Sequence, residues 1–295
     1  MNIIETHELS RRYGSTWALR DCTLAIPEGH LVALVGPNGA GKTTLFNIVV
    51  GLTTATTGSV TVLGGIPVGS PAALDGIAFV AQDMPLYRHL TVADMLHLTR
   101  NLNHGFDGAY ARKRLGDLGI DDKRRAGKLS GGQQAQLALT LALARHPRLL
   151  VLDEPTAPLD PLARHDFMAT VMAAMAEEGL SVLLSSHVLA ELERVADYLV
   201  LIARGVVRLG GTVDDVVAQH MLVTGPAGRP SDPRWQVLES SVAGSQQHLL
   251  VRLHAPTDLV PDGWEARTVG VEELALAYLR ESSIPTNLIA VEATR

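Results

Sequence analysis

The chain has 295 residues, of which 46% are hydrophobic, and it carries a formal net charge of -6. This length suits one large domain, or one domain with a small appendage. The negative charge argues against a nucleic-acid-coating surface, which needs a basic excess, so no nucleic-acid partner is expected. The single cysteine, Cys22, rules out an intrachain disulfide and favours a reducing compartment. The N-terminus lacks a signal-peptide pattern and charged residues interrupt the longest apolar stretch, 137–152, so we expect a cytoplasmic protein without a membrane span.

The first 35 residues alternate short apolar segments with turn residues. This pattern predicts strands at 3–6, 17–19, 23–26 and 31–35. Tyr13 lies on a polar connection, 11–15, between the first two of these strands. An exposed aromatic ring there can stack on a purine base, whereas a half-buried ring only packs, and the pattern leaves both interpretations open.

A glycine-rich motif follows the strand predicted at 31–35 and leads into a helical pattern at 45–50. Strand, glycine loop and helix are the context in which G-x-x-x-x-G-K-[ST] binds phosphate, because backbone N–H groups and the helix N-terminus face the phosphate oxygens. Lys42 adds a full positive charge, and Thr43 can place its hydroxyl on Mg²⁺. The motif predicts a nucleoside triphosphate site formed by Gly36, Pro37, Asn38, Gly39, Ala40, Gly41, Lys42, Thr43 and Thr44.

The predicted secondary structure changes after the strand at 77–80, which leads to Gln82. Helical patterns begin at Thr91 and at about residue 110, and no strand pattern interrupts them. We therefore expect a helical insertion, about 83–130, in a chain that otherwise alternates strands and helices as an α/β fold does.

Two further motifs have residue types suited to anion binding and to hydrolysis. Ser130, Gly131, Gly132 and Gln133 open a helical run that extends to about residue 145, and a serine followed by two glycines at a helix start is a second anion-binding geometry. The buried strand predicted at 149–154 ends on Asp153 and Glu154. Such a pair often only caps the next helix, but after a phosphate loop it suits Asp153 holding Mg²⁺ and Glu154 acting on an attacking water.

The remaining sequence continues the alternation and then departs from it. Helices are expected at 161–177 and 188–196, and strands at 181–186, which leads to His187, at 198–202 and at 206–209. Beyond about residue 221, strands at 235–238 and 248–253 and a final helix at 271–281 predict a small C-terminal α+β appendage.

In their order along residues 1–218, these motifs resemble the ATP-binding cassette ATPases. The most specific element is the 129–133 motif placed just before the Asp153 strand. The resemblance implies an α/β P-loop NTPase core with an N-terminal antiparallel β subdomain, followed by the appendage at 219–295. It also implies a head-to-tail homodimer with ATP between the Lys42 loop of one subunit and the Ser130 helix of the other.

The same resemblance implies a role for each matched residue. Tyr13 would stack on adenine, Gln82 would contact Mg²⁺ and water, Glu154 would be the base, His187 would contact the γ-phosphate, and Asp160 would cross the dimer interface. Gln134 and Gln136 stand where the family usually has basic residues after its signature motif, which is a departure from the family pattern.

The helical insertion and the segment 86–92 look like those of ATPase subunits in two-component exporters. The resemblance therefore implies an ATP- and Mg²⁺-dependent ATPase that energises a separately encoded membrane permease. We expect export of a drug-like, lipid or peptide substrate, with the chain peripheral on the inner face of the membrane. An importer ATPase and a soluble, non-transport cassette ATPase remain alternatives.

Overall fold

The computed structural model describes residues 1–84, 86–186, 193–253 and 260–280. The strands are β1 (Asn2–Tyr13), β2 (Thr16–Pro27), β3 (Leu31–Val35), β4 (Thr57–Val62), β5 (Ile66–Pro67), β6 (Ile77–Val80), β7 (Leu149–Asp153), β8 (Ser181–Ser185), β9 (Tyr198–Ala203), β10 (Val206–Thr212), β11 (His220–Pro226), β12 (Trp235–Ala243), β13 (Gln246–Leu253) and β14 (Glu265–Thr268). The helices are α1 (Lys42–Val49), α2 (Pro71–Gly76), α3 (Val92–Leu102), α4 (Gly108–Asp117), α5 (Gly131–Leu143), α6 (Pro161–Glu178), α7 (Val213–Ala218) and α8 (Val271–Arg280), with a 3₁₀ turn at Ala126–Lys128.

A six-stranded sheet forms the centre of the fold, in the order β10-β9-β3-β8-β7-β6. The strands from β9 to β6 run parallel, and β10 is antiparallel to β9. Every residue of β3, β7 and β8 is buried, as expected of strands covered on both faces. The phosphate loop leaves the carboxyl end of β3, and Asp153 ends β7, with only β8 between them. The predicted α/β core is confirmed.

An antiparallel sheet, β2-β1-β4-β5, covers one face of this core together with α1. Here the sequence prediction of short strands was wrong, because β1 and β2 form one hairpin of two 12-residue strands. Their pairing register shifts on both sides of Leu9, and Glu8 has a φ of 48°. These bulges break the period-two alternation on which strand prediction depends.

Between β6 and β7 the described residues form helices and one isolated bridge, Thr91 to Arg125, which confirms the helical insertion. Thr91 caps α3 as predicted, in a capping box with Asp94. The insertion has its own apolar core. Helix α5 contributes to this core and to the central one, for example through Leu141 and Leu139 respectively. The insertion is therefore fixed to the helix that begins at Ser130.

The C-terminal segment forms a second antiparallel sheet, β12-β13-β11-β14, with α8 packed on it, so the predicted α+β character is confirmed. Strands β11 and β14 were not predicted. Leu250, Leu274 and Tyr278 belong to the same buried cluster as Leu199 and Leu201 of the central sheet. The C-terminal unit therefore covers part of the hydrophobic core of the central sheet.

A side chain near the end of the predicted helix 188–196 joins the two units. Residues 187–192 lie outside the described part of the chain, and residues 193–195 form a turn. The Glu193 carboxylate accepts a hydrogen bond from the Val271 backbone N–H at 3.0 Å. It thereby satisfies one of the amide groups that the first turn of α8 leaves open.

The buried His220 connects α7 to α8. Its Nδ1–H donates to the Val216 carbonyl oxygen at 2.6 Å, and its Nε2 accepts from the Tyr278 hydroxyl at 2.8 Å. Burial disfavours the charged ring and lowers the pKa of His220 from 6.5 to about 4. The folded ring therefore stays neutral at pH values where the same ring in the unfolded chain binds a proton.

We expect the free energy of unfolding to decrease as the pH falls from 6.5 towards about 4, because over this range only the unfolded chain protonates His220. The pKa difference corresponds to about 3 kcal/mol across the range. Urea unfolding at several pH values should give a shallower pH slope for His220→Gln than for wild type. His165→Gln alters an exposed ring and should keep the wild-type slope. Equal slopes in all three proteins would contradict the prediction.

Candidate nucleotide-binding site

The glycines of the phosphate loop are required by their surroundings. A Cβ on Gly36 would lie 2.2 Å from the Ile202 carbonyl oxygen, and one on Gly41 would lie 2.5 Å from the Ala18 carbonyl oxygen. Gly39 and Gly41 have φ values of 78° and 107°, in the left-handed region that other residues rarely adopt. Gly41 is also the N-cap of α1. The loop therefore holds its backbone curled over the start of the helix.

Lys42 brings the positive charge of this site. Its side chain is 6% exposed, and its Nζ donates to the carbonyl oxygens of Gly36 at 2.8 Å and Pro37 at 3.3 Å. The same Nζ lies 3.8 Å from Glu154 Oε1, across the mouth of the loop. A buried ammonium beside the N-terminus of α1 favours anionic groups such as phosphate.

A pocket of about 590 Å³ opens at the phosphate loop, within the size range of small-molecule sites. The described residues that line it are Tyr13, Thr16, Trp17, Ala18, Asn38, Gly39, Ala40, Gly41, Lys42, Thr43, Thr44, Gln82 and Glu154. The structure thus brings Tyr13, Gln82 and Glu154 to the loop from three different parts of the chain. All three were candidates from sequence alone.

Tyr13 lies at the end of β1, where the hairpin turns towards the pocket. Its side chain is 49% exposed, and the Arg11 guanidinium lies 4.7 Å from the ring centroid. About half of the Tyr13 surface is therefore open to a ligand, and base stacking by this ring stays a prediction. Thr16 and Trp17, which follow the turn, were not predicted to line the pocket. The sequence feature that could have indicated them is a second aromatic residue, Trp17, four positions after Tyr13.

The two carboxylates after β7 differ in environment. Asp153 is 2% exposed, and its Oδ1 accepts a hydrogen bond from the Ser185 hydroxyl at 2.7 Å. Glu154 is 13% exposed, lines the pocket, and has a φ of 46°, an uncommon value for a residue with a side chain. The left-handed turn separates the directions of the two side chains. One carboxylate stays in the sheet and the other reaches the phosphate loop.

The candidate Mg²⁺ ligands are a hydroxyl on Thr43, an amide oxygen on Gln82 and a carboxylate on Asp153. These hard oxygen donors fit Mg²⁺, which is commonly held by one or two carboxylates together with substrate phosphates. Within the described residues, no group of three or more His, Cys, Asp or Glu side chains is placed to hold a metal ion. Thr43 and Gln82 line the pocket, whereas Asp153 is absent from its described lining. The three donor types suit a cation that is shared with a phosphate ligand.

Ser130 begins α5 as the sequence predicted. Its Oγ accepts a hydrogen bond from the Gln133 backbone N–H, and Gln133 Oε1 accepts one from the Ser130 N–H, both at 3.2 Å. A Cβ on Gly132 would lie 2.9 Å from the Ala163 Cβ of α6. Packing thus also requires a glycine here. Gly132 thus has a structural reason that does not depend on anion binding.

A residue that sequence reasoning missed supports this helix. Arg114 of α4 donates to Gln136 Oε1 at 3.1 Å, to Thr140 Oγ1 at 3.1 Å and to Thr170 Oγ1 at 2.8 Å. Gln134 donates from its side chain to the Leu129 carbonyl oxygen. The guanidinium that holds the middle of α5 therefore comes from the insertion and not from α5 itself.

Ser130, Gly131, Gly132, Gln133 and Asp160 are absent from the described lining of the pocket. Asp160 instead caps α6, with its Oδ1 accepting the Ala163 N–H at 2.9 Å. His187 lies outside the described residues. One copy of the chain thus carries a phosphate loop beside Glu154, while the helix start at Ser130 lies outside the described lining of that pocket.

Comparison with known proteins decides the family. Residues 19–157 match the family described as ABC transporter. The lantibiotic transport ATP-binding protein SrtF of Streptococcus pyogenes is 32% identical over 205 residues, which cover 69% of this chain and 88% of SrtF. The thiamine import ATP-binding protein ThiQ of Mesorhizobium japonicum is 34% identical over 224 residues, covering 73% and 86%. The chain belongs to the ABC transporter family of ATPases.

Solved structures agree with this assignment. The structure of an ATP-binding subunit of an ABC transporter superposes with a TM-score of 0.66 at 29% identity, covering 74% of this chain and 92% of that one. A dimeric ATP-binding cassette bound to ADP and Pi superposes with a TM-score of 0.63 at 25% identity, covering 71% of this chain and 98% of that one. This ABC ATPase is therefore the ATP-binding and ATP-hydrolysing subunit of a transporter. None of the helices in its described part combines the length and apolar character needed to cross a bilayer.

Proposed function

We propose that two copies of this ABC ATPase bind ATP head to tail and hydrolyse it to power a separately encoded membrane permease. The observation that carries the proposal is the division of the site within one chain. The pocket at Lys42 is lined by the phosphate loop, Gln82 and Glu154, while the Ser130 helix start lies outside that lining. A second copy in head-to-tail arrangement supplies the missing helix start. The dimeric cassette with ADP and Pi is a precedent for such a pair.

In the proposed site, Lys42 and the amide groups at the start of α1 bind the β- and γ-phosphates. Thr43, Gln82 and Asp153 would hold Mg²⁺, whose charge balances that of the phosphates. Glu154 orients a water molecule and accepts its proton as the water oxygen bonds to the γ-phosphorus and the bond to the β–γ bridging oxygen breaks. His187 would contact the γ-phosphate.

The second subunit completes the same site. Its Ser130, Gly131, Gly132 and Gln133 would bind the γ-phosphate through their hydroxyl and backbone amide groups, and its Asp160 would lie at the subunit interface. Because each chain contributes both halves, two equal sites form when the dimer closes. ATP therefore holds the subunits together, and loss of the cleaved phosphate after hydrolysis releases them.

Tyr13 is proposed as the platform for the adenine ring. Tyr13→Ala should weaken ATP affinity by on the order of 1 kcal/mol or more, the scale of a base–aromatic contact, and Tyr13→Trp should be tolerated. Tyr87 is 55% exposed and lies outside the pocket, so Tyr87→Ala is a matched control that should bind ATP normally. Equilibrium titration with ATP measures all four proteins. Equal affinity in Tyr13→Ala and wild type would return Tyr13 to a packing role.

Docking of a permease is supported by a groove between the central sheet and the helical insertion. Its volume is about 220 Å³, and Met84, Leu86, Met95 and Leu141 are among the residues that line it. Tyr87 directly follows the groove residue Leu86 in the sequence, and 55% of its surface is exposed. An apolar groove with a neighbouring exposed aromatic residue suits a short helix of a partner protein.

We propose export of a drug-like, lipid or peptide substrate as the direction of transport, on the likeness of the insertion to that of two-component exporters. The relatives include a lantibiotic transport protein and importers of thiamine and of Fe(3+). Inside-out vesicles containing the chain and the membrane protein encoded beside it test the direction. ATP-dependent accumulation of a candidate substrate supports export, and ATP-dependent release supports import. Absence of any membrane protein from the neighbouring genes would favour a soluble cassette ATPase.

A further inference from the structure

We infer that Ser185 is a positioning residue for both carboxylates of the hydrolytic site. Ser185 is the last residue of β8, the strand between the phosphate-loop strand β3 and the carboxylate strand β7. Its Oγ donates to Asp153 Oδ1 at 2.7 Å and accepts the Glu154 backbone N–H at 2.9 Å. One buried hydroxyl thus bonds to the two consecutive residues that the proposed function assigns to Mg²⁺ and to water.

The bond to Asp153 fixes the rotation of a buried carboxylate. Ser185 is 0% exposed and Asp153 is 2% exposed, so water competes little for this contact. An O–H···O⁻ bond at 2.7 Å is short and charge-assisted. It engages Oδ1 and leaves Oδ2 for a cation. Partners of this kind orient the ligands of metal ions and raise metal affinity.

The bond to Glu154 stabilises an unfavourable backbone conformation. Glu154 has a φ of 46°, and a non-glycine residue there persists only where its neighbours hold it. The Ser185 Oγ accepts the N–H of this same residue. Loss of the hydroxyl would remove one hydrogen bond from that amide and one from Asp153 Oδ1. The position of the Glu154 side chain against the phosphate loop therefore depends on Ser185.

The test compares two serines of one strand. Ser185→Ala removes the bridging hydroxyl, while Ser185→Thr keeps one. The matched control is Ser181→Ala at the start of β8. Ser181 is also 0% exposed and also accepts a backbone N–H, but this N–H belongs to Gly29, at 2.8 Å, and not to a residue of the acidic pair. Thermal unfolding of each variant reports how much stability a buried hydroxyl contributes at either end of the strand.

Divalent-cation binding is read without turnover, by electron paramagnetic resonance of Mn²⁺ titrated in the presence of ADP. We expect Ser185→Ala to weaken Mn²⁺ binding about tenfold or more, the loss typical for a partner of a metal ligand, and to lower kcat. Ser185→Thr should recover both quantities. Ser181→Ala should lose comparable thermal stability and keep wild-type Mn²⁺ affinity and kcat. A Ser185→Ala protein that matches Ser181→Ala in both readouts would overturn the inference.

This inference rests on the proposed roles of Asp153 and Glu154, and two further variants separate the failures. If Asp153→Asn leaves Mn²⁺ affinity unchanged, or Glu154→Gln hydrolyses ATP at the wild-type rate, the proposed roles themselves fail. If both variants behave as expected while Ser185→Ala resembles Ser181→Ala, only the role of Ser185 fails.

Discussion

Glu154→Gln is expected to bind Mg²⁺-ATP normally and to hydrolyse it about 10²-fold more slowly or worse, as for other losses of a general base. The amide keeps the shape of the side chain at the pocket wall, where Glu154 Oε1 lies 3.8 Å from Lys42 Nζ. It cannot accept the proton of an attacking water. Steady-state phosphate release and an ATP titration give the two quantities separately.

Glu177→Gln is the control for this prediction. Glu177 is an exposed glutamate on α6, outside the described lining of the pocket, and its amide variant should hydrolyse ATP like wild type. Wild-type turnover in Glu154→Gln would show that Glu154 has no part in activating water.

Lys42→Ala is expected to weaken ATP binding about 10- to 100-fold and to stop turnover. A hydrogen bond to a charged group contributes roughly 1.5–3 kcal/mol, and each 1.4 kcal/mol is about tenfold in affinity. Lys42 also donates to the carbonyl oxygens of Gly36 and Pro37, so the loop itself loses two contacts. Fluorescence titration with a nucleotide analogue measures the affinity.

The control for the loss of one positive charge is a substitution at a second lysine. Lys113 is exposed on α4, and Lys113→Ala removes the same charge from a surface away from the phosphate loop. It should bind ATP like wild type, and thermal unfolding should show that Lys42→Ala is folded. Hydrolysis at the wild-type rate in Lys42→Ala would mean that the loop is assigned wrongly.

The features that sequence predicted well are local ones. The strand, glycine loop and helix around Lys42, the caps at Thr91 and Ser130, and the acidic pair after β7 each occupy a few consecutive residues. Their hydrogen-bonding requirements are met within those residues. Local pattern was therefore enough to locate the phosphate loop and the second helix start.

The features that sequence missed depend on neighbours in space. Ser185 meets Asp153 only because β8 and β7 pair in the sheet, and Arg114 reaches Thr170 only because α4 and α6 both pack against α5. Trp17 enters the pocket because a long, bulged hairpin folds back on itself. A period of two or of 3.6 residues carries no information about which strand or helix lies alongside.

The C-terminal unit shows the same limit. We propose residues 1–218 as the ATPase domain and 219–295 as an accessory unit without catalytic residues. The helix α8 was predicted from the sequence, but the surface on which it packs was not. Leu274 and Tyr278 pack into the cluster of the central sheet. Removal of the unit would therefore uncover apolar surface of the ATPase core.

The head-to-tail ATP sandwich is tested most directly by gel filtration of Glu154→Gln. With saturating Mg²⁺-ATP the protein should elute as a dimer of the 31.5 kDa chain, and with ADP it should elute as a monomer. Adding Ser130→Arg should abolish the dimer, because the arginine blocks the opposing phosphate contact while each Lys42 loop remains intact. A Glu154→Gln protein that binds ATP and still elutes as a monomer would contradict the account.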